Sequence, residues 1–155
     1  MTEVALIILF ILILVQDVRH RGVHWLLFPL LFIVTLFNSW TKLDIIMIGI
    51  NLGFLSFMLL SLTIYLSVKQ GKWINITKGY FSLGDILFLI AVIPLFSFRE
   101  YLIFFTLGTM STLILHLLVS LLKKQKTVPY AGYMALFGIV LFGFKDLFNQ
   151  LVNNF

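Results

Sequence analysis

The sequence predicts an all-α, polytopic membrane protein with about six transmembrane helices. Three observations lead there. Hydrophobic residues make up 61% of the chain and charged residues only 11%, against near half and a quarter in soluble domains. A chain of 155 residues does not enclose enough interior to hide that much apolar surface from water. The apolar residues also fall in continuous runs rather than alternating, which selects helices over barrel strands. Each run is of the order of 20 residues, the number that crosses a hydrocarbon core about 30 Å thick.

The runs follow one another in order. The first, Thr2 to Arg19, has Glu3 where a secretory signal carries lysines, and it lacks a small-residue cleavage site, so it reads as a retained span. "RHRGVH" separates it from the second run, His24 to Trp40, and "NSWTKLD" leads into the third, Leu43 to Val68. "KQGKWINITKG" precedes the fourth, Tyr80 to Phe98, in which Pro94 predicts a kink. "SFRE" then opens the fifth, Glu100 to Leu122, and "KKQKTVPYAG" the sixth, Tyr130 to Val152. With no internal repeat or low-complexity linker, residues 1–155 form a single domain. Gly49, Gly53, Gly108, Gly138 and Gly143 are expected at close helix contacts. Trp73, Tyr80 and Phe81 suit an interfacial belt, in a third connection able to lie along the surface. Asn75-Ile76-Thr77 matches a glycosylation triplet only by letter, because its loop is predicted to be cytoplasmic.

That orientation comes from the basic residues. Of the 11 Lys and Arg, eight lie in the first, third and fifth connections: Arg19, Arg21, Lys69, Lys72, Lys78, Lys123, Lys124 and Lys126. Only Lys42, Arg99 and Lys145 lie on the other side. Positive charge stays with the cytoplasm, so both termini are expected outside and the odd connections inside. The same distribution accounts for the net charge of +5 without a nucleic-acid partner. The absence of cysteine excludes a disulfide framework and a thiolate metal site. His20 and His24 flank Arg21 without the further ligands zinc requires, so no metal or organic cofactor is expected. His116, inside the fifth span, is expected to hydrogen-bond across helices.

The acids divide unevenly. Glu3, Asp44, Glu100 and Asp146 fall at outward-facing ends, whereas Asp17 and Asp85 lie at cytoplasmic ends of different spans. The apolar stretch before Asp17 (Val4 to Val15) and the one after Asp85 (Ile86 to Phe98) each cover roughly 18–20 Å as helix. To span, each helix must continue past its aspartate by about a turn, which places both carboxyl groups at similar depth just inside the boundary. Two such groups within a few ångströms cannot both ionise easily, so one retains a proton. The charged member takes a proton from water while the neutral one polarises a carbonyl, the division of labour of aspartic proteolysis. Gly84, just before the second aspartate, would let a backbone approach closely. On spacing alone the bland alternative fits better, the four-residue pattern being common. Ser82 and Asp85 match a capping box, and Asp17 is an interfacial acid beside Arg19 and Arg21. Spacing alone leaves both readings open.

Three segments carry a family resemblance. "FSLGDILFLIAV" resembles the second catalytic segment of the type IV prepilin peptidases, membrane aspartic proteases with Gly-x-Gly-Asp at a helix start. "ILILVQDVRHRGVHWLLFPLLFIV" resembles their first segment, an aspartate ending a helix before a basic turn. "KKQKTVPYAGYMALFGIVLF" resembles their closing basic loop, turn and small-residue helix. The resemblance implies an endopeptidase of the bacterial cytoplasmic membrane that removes a basic leader from prepilin-like precursors at the cytoplasmic face. It implies Asp17 and Asp85 as the catalytic dyad, with Gly84 and Ser82 as the supporting motif, the lipid bilayer and the precursor as partners, and no cofactor. The methyltransferase region of the two-function members is missing, so no methylation is expected. The sequence departs from the family at Ser82, which replaces the first motif glycine. It departs also at Ile86, Leu87 and Phe88, where a lysine is usual, and at Val23-His24 in place of Ile-Pro. These departures favour an alternative, an inactive relative serving as a membrane assembly subunit. A small ion- or proton-coupled transporter is a further alternative, which predicts mid-bilayer acids and a repeat between the chain halves. Nothing in the sequence sets the oligomeric state.

Overall fold

The computed structural model describes residues 2–42, 44–77, 81–122, 128–144 and 150. Among them the secondary structure is helical throughout, with no strand. The helices are α1 (Thr2–His20), α2 (Leu27–Asn38), α3 (Ile45–Gln70), α4 (Leu83–Ala91), α5 (Phe98–Leu122) and α6 (Tyr130–Gly143). Short 3-10 turns occupy Trp40–Lys42 and Ile93–Leu95. Lys78, Lys123, Lys124, Lys126, Lys145 and Asp146, and the expected span ends Leu43, Tyr80 and Val152, lie outside the described residues.

Two helices, α3 and α5, are long and apolar enough to cross a membrane. Only 11% and 17% of their apolar stretches are buried by the rest of the chain, so both present hydrocarbon side chains outward. The expectation of six full spans meets a different picture in α2, α4 and α6. Their 12, 9 and 14 residues give rods of roughly 14–21 Å, shorter than a hydrocarbon core.

The short α4 has a clear cause. Pro94 sits in the 3-10 turn directly after it, so the expected kink is instead a termination. Ending a helix early leaves carbonyls without intrahelical donors, a serious cost away from water. Three neighbouring segments supply the missing donors. Thr35 Oγ1 of α2 lies 2.9 Å from the Ala91 carbonyl and 2.7 Å from that of Phe32, which share its one proton, and the Tyr101 hydroxyl of α5 donates to the Leu89 carbonyl at 3.2 Å. Asn51 Nδ2 of α3 donates to the Phe96 carbonyl at 3.0 Å. All three side chains are fully buried.

At its other end α1 continues through His20, the extra turn expected beyond Asp17. Arg21 then adopts the left-handed conformation (φ 56°), with its amide donating back to the Asp17 carbonyl at 3.0 Å. The His24 amide donates to Gln16 Oε1 at 2.9 Å, folding the connection against the helix end. At the other end of the bundle, Asp44 caps α3 through the Ile46 amide, and Glu100 accepts from the amide and hydroxyl of Ser97.

The core sits where α6 packs between α1 and α5 and touches α4. Phe10 of α1 is its pin, 1% exposed, with ring centroids 6.0 Å from Phe88 of α4 and 6.2 Å from Phe142 of α6. A Cβ on Gly138 would come within 2.9 Å of that ring, and one on Gly108 within 2.6 Å of the Met134 sulfur, so these two glycines mark close helix contacts as expected. Gly49, Gly53 and Gly143 do not, since a Cβ at each meets nothing within 4 Å. In the third connection Trp73 is exposed, while Ile74 and Ile76 tuck inward and Asn75 accepts the Thr77 amide in an Asx turn. Phe81 packs against Tyr130 at a tilt of 59°, centroids 4.9 Å apart, rather than joining a surface belt.

Candidate functional site

Helical periodicity aims both aspartates inward. The buried face of α1 is Leu6, Leu9, Phe10, Ile13 and Asp17, and that of α4 includes Asp85, Phe88 and Leu89. These are the i, i+3, i+4, i+7 spacings of a single helix stripe. Each carboxylate therefore occupies the last place on a stripe otherwise apolar, and each residue is more than nine-tenths buried, 8% and 7% exposed. A buried carboxylate needs hydrogen-bond donors.

The start of α6 provides them from two consecutive residues. The Gly132 amide donates to Asp17 Oδ2 at 2.7 Å, and the Ala131 amide donates to Asp85 Oδ1 at 3.1 Å. The first turn of a helix has free amides and the positive end of the dipole, so it is the natural mooring for anionic oxygens. Bonding to consecutive amides brings the two carboxyl groups into one neighbourhood, where the charge of Asp85 acts on Asp17.

Gly132 allows this approach. A Cβ there would fall 3.0 Å from Asp17 Cβ and 3.2 Å from Oδ2. Sequence reasoning passed over it, although its signal is present: a small-residue pair, Ala131-Gly132, one step inside a helix begun by Pro129. Gly84 has another role from the one expected. Its open side faces the Phe28 ring, 3.4 Å from where a Cβ would stand, and it does not line the cavity.

The capping reading of Asp85 is correct in geometry and compatible with the pairing. Ser82 Oγ accepts the Asp85 amide at 3.2 Å, and Asp85 Oδ2 accepts the Ser82 amide at 2.8 Å, a full capping box. The other oxygen, Oδ1, is the one that reaches α6. One side chain thus ends a helix and joins the pair. Asp17 lies in the field of Arg21, as its interfacial reading expected, and also in that of Asp85.

Both carboxylates open onto a cavity of about 540 Å³. It collects the first, third and fifth connections at one end of the bundle through Arg21, Thr77 and Val128. The second and fourth connections meet around a smaller cavity of about 260 Å³ at the opposite end. The α5 side of the larger cavity carries a polar stripe: Thr109, Thr112 and His116. The Tyr130 hydroxyl lies 3.0 Å from Thr109 Oγ1, whose own proton goes to the Phe105 carbonyl at 2.6 Å. His116 Nδ1 is buried without a hydrogen-bond partner, so the bond across helices expected of this residue is not made by that atom. Among the described residues no group of three or more His, Cys, Asp or Glu side chains is placed to hold a metal. No family model, characterised protein or solved structure matches the chain.

Proposed function

We propose that this protein is an aspartic endopeptidase of the membrane, cleaving the basic leader from prepilin-like precursors at the cytoplasmic end of its helix bundle. The observation that carries this reading is the meeting of Asp17 and Asp85 on the consecutive amides of Gly132 and Ala131, inside a cavity large enough for several residues of peptide. Nothing in helix capping or topology requires that meeting. The three segments that resemble the prepilin peptidases are the ones that converge there, and this supports the choice of substrate.

In this reading α1 to α6 alternate in direction, with both termini outside and the site on the cytoplasmic side of a bacterial inner membrane. The grouping of the odd connections around the cavity supports the alternation. The ionised carboxylate removes a proton from water as its oxygen bonds to the scissile carbonyl carbon. The protonated partner gives its proton to the carbonyl oxygen. Collapse of the resulting gem-diol breaks the carbon–nitrogen bond, and the amine leaves with a proton returned through the dyad. No metal or organic cofactor takes part in this scheme.

An inactive assembly subunit is the second reading, favoured by Ser82 in place of the motif glycine and by the missing lysine after Asp85. A transporter fits less well, because Asp17 lies three residues from the end of α1 and Asp85 two from the start of α4 rather than at mid-helix. Incubating the full-length chain in detergent with a leader-bearing precursor separates them. The protease reading expects cleavage that is lost in both Asp17→Asn and Asp85→Asn. Cleavage that survives either substitution removes that residue from the dyad, and no cleavage by the unaltered chain leaves the assembly reading.

A further inference from the structure

The α5 side of the cavity holds two polar groups that the fold leaves without a partner. Thr112 is 2% exposed, and its Oγ1 is buried without a partner. Threonines in apolar helices ordinarily donate back to a carbonyl one turn earlier, as Thr63 does to Leu59 and Thr109 to Phe105. Thr112 does not, and the Gly108 carbonyl that it would use instead accepts from Ser111. One turn further along, His116 Nδ1 is likewise buried and unpaired. Both residues line the cavity shared with Asp17 and Asp85. A buried polar atom without a partner is costly, so two on one helix face mark a place where partners arrive from outside the chain.

Their spacing indicates what arrives. Four residues of α-helix rise about 6 Å. An extended peptide repeats the same-edge N–H and C=O groups every two residues, at about 6.6–6.8 Å. A hydroxyl gives and accepts a hydrogen bond, and a neutral imidazole Nδ1 does one or the other according to tautomer. Such a pair suits the mixed donor and acceptor edge of a peptide main chain better than a single-sign ion. Leu113 adds an apolar side chain to the cavity lining.

We infer that Thr112 and His116 form a main-chain clamp, which holds an extended peptide segment along α5 so that its neighbouring carbonyl faces the two aspartates. The inference rests on the protease reading for its purpose, but it is a statement about binding and is testable without cleavage. The clamp reads backbone rather than side chains, so the residues it grips are interchangeable and sequence preference resides elsewhere in the cavity.

The test uses the full-length chain carrying Asp17→Asn and Asp85→Asn, which cannot turn over, in detergent micelles. The probe is a fluorescein-labelled peptide of about ten residues, a Lys/Arg leader joined to an apolar segment, followed by anisotropy. Thr112→Val and His116→Leu are each expected to weaken binding about fivefold to tenfold, the effect of one lost hydrogen bond. Thr112→Ser and His116→Asn, which restore a hydroxyl and an Nδ1-like atom, are expected to stay within about twofold of the parent. Replacing two alternate backbone amides of the peptide by esters is expected to weaken binding to the parent and not to the double variant Thr112→Val/His116→Leu. Equal binding by the parent and both disruptive variants overturns the clamp, as does the absence of peptide binding to the parent. If the disruptive variants fail to fold, the ester peptide on the parent decides alone: unchanged affinity overturns the proposal. Binding with the expected pattern, combined with no cleavage by the unaltered chain, sustains the clamp while removing the protease.

Discussion

The amide of Gly132 donates to the carboxylate of Asp17 at 2.7 Å, across 115 positions of the chain. This bond closes the bundle, joining the first helix to the last at the depth where Asp85 joins the fourth. A Cβ at position 132 would press on Asp17, 3.0 Å from its Cβ and 3.2 Å from Oδ2.

Gly132→Ala is therefore expected to displace Asp17 and reduce precursor cleavage at least tenfold, with overpacking costing about 1–3 kcal/mol of stability. Gly53→Ala is the matched control. A Cβ there meets nothing, and removing a helix-interior glycine should stabilise by about 0.5–1 kcal/mol. Cleavage rates and melting curves in one detergent check both, and equal effects of the two substitutions contradict the account.

Ser82 separates capping from chemistry. Its hydroxyl accepts the Asp85 amide, while its own backbone amide holds Asp85 Oδ2. Ser82→Ala is expected to cost about 1 kcal/mol through the lost cap and Ser82→Gly only a few tenths. Both keep the backbone bond to the carboxylate, so cleavage at a temperature well below the melt should remain within about threefold of the parent.

Arg21 holds a left-handed backbone (φ 56°) beside the cavity. For a residue with a Cβ this conformation costs roughly 1–2 kcal/mol, which Gly avoids. Arg21→Gly should thus melt higher than Arg21→Ala, which removes the same charge and keeps the strain. The pair of melting curves isolates the backbone contribution from the loss of a cation near Asp17.

Thr35 is fully buried and bonded to the Ala91 carbonyl at 2.9 Å. Thr35→Val preserves shape but removes the proton that the Ala91 and Phe32 carbonyls share, a cost of about 1–3 kcal/mol. Thr35 lies outside the cavity. The expected result is a lower melting temperature with unchanged affinity for the peptide probe, and a large affinity change contradicts it.

The long helices were legible because nothing interrupts their apolar runs. The expected bounds of α3 and α5 lie within about two residues of the observed ones at each end described in the structure. The two unusual acids were legible as well, since hydrocarbon makes an acid conspicuous and the topology rule had no use for them. The early end of α4 was harder to see. Pro94 was visible, but its effect depends on Thr35, Asn51 and Tyr101, donors from three distant segments. Gly132 escaped notice because a glycine at a helix start has many local explanations. Its reason is a carboxylate 115 positions away, and no window of sequence contains both. The stripe of Thr109, Thr112 and His116 follows a simple helical period, yet it becomes meaningful only once a cavity is known to face it.

A helix of nine residues whose end is held by α2, α3 and α5 has a consequence for how the chain is made. Such a segment is too short to settle in a bilayer by itself, so residues 83–95 reach their final seat only after α5, synthesised later, has arrived to bond Leu89. The acid on it is then moored by Ala131, later still. Biogenesis in this order keeps the two aspartates apart until α6 is in place. A ribosome-stalled chain ending near residue 97 should leave position 85 open to a water-soluble thiol reagent in an Asp85→Cys variant, and the finished chain should protect it.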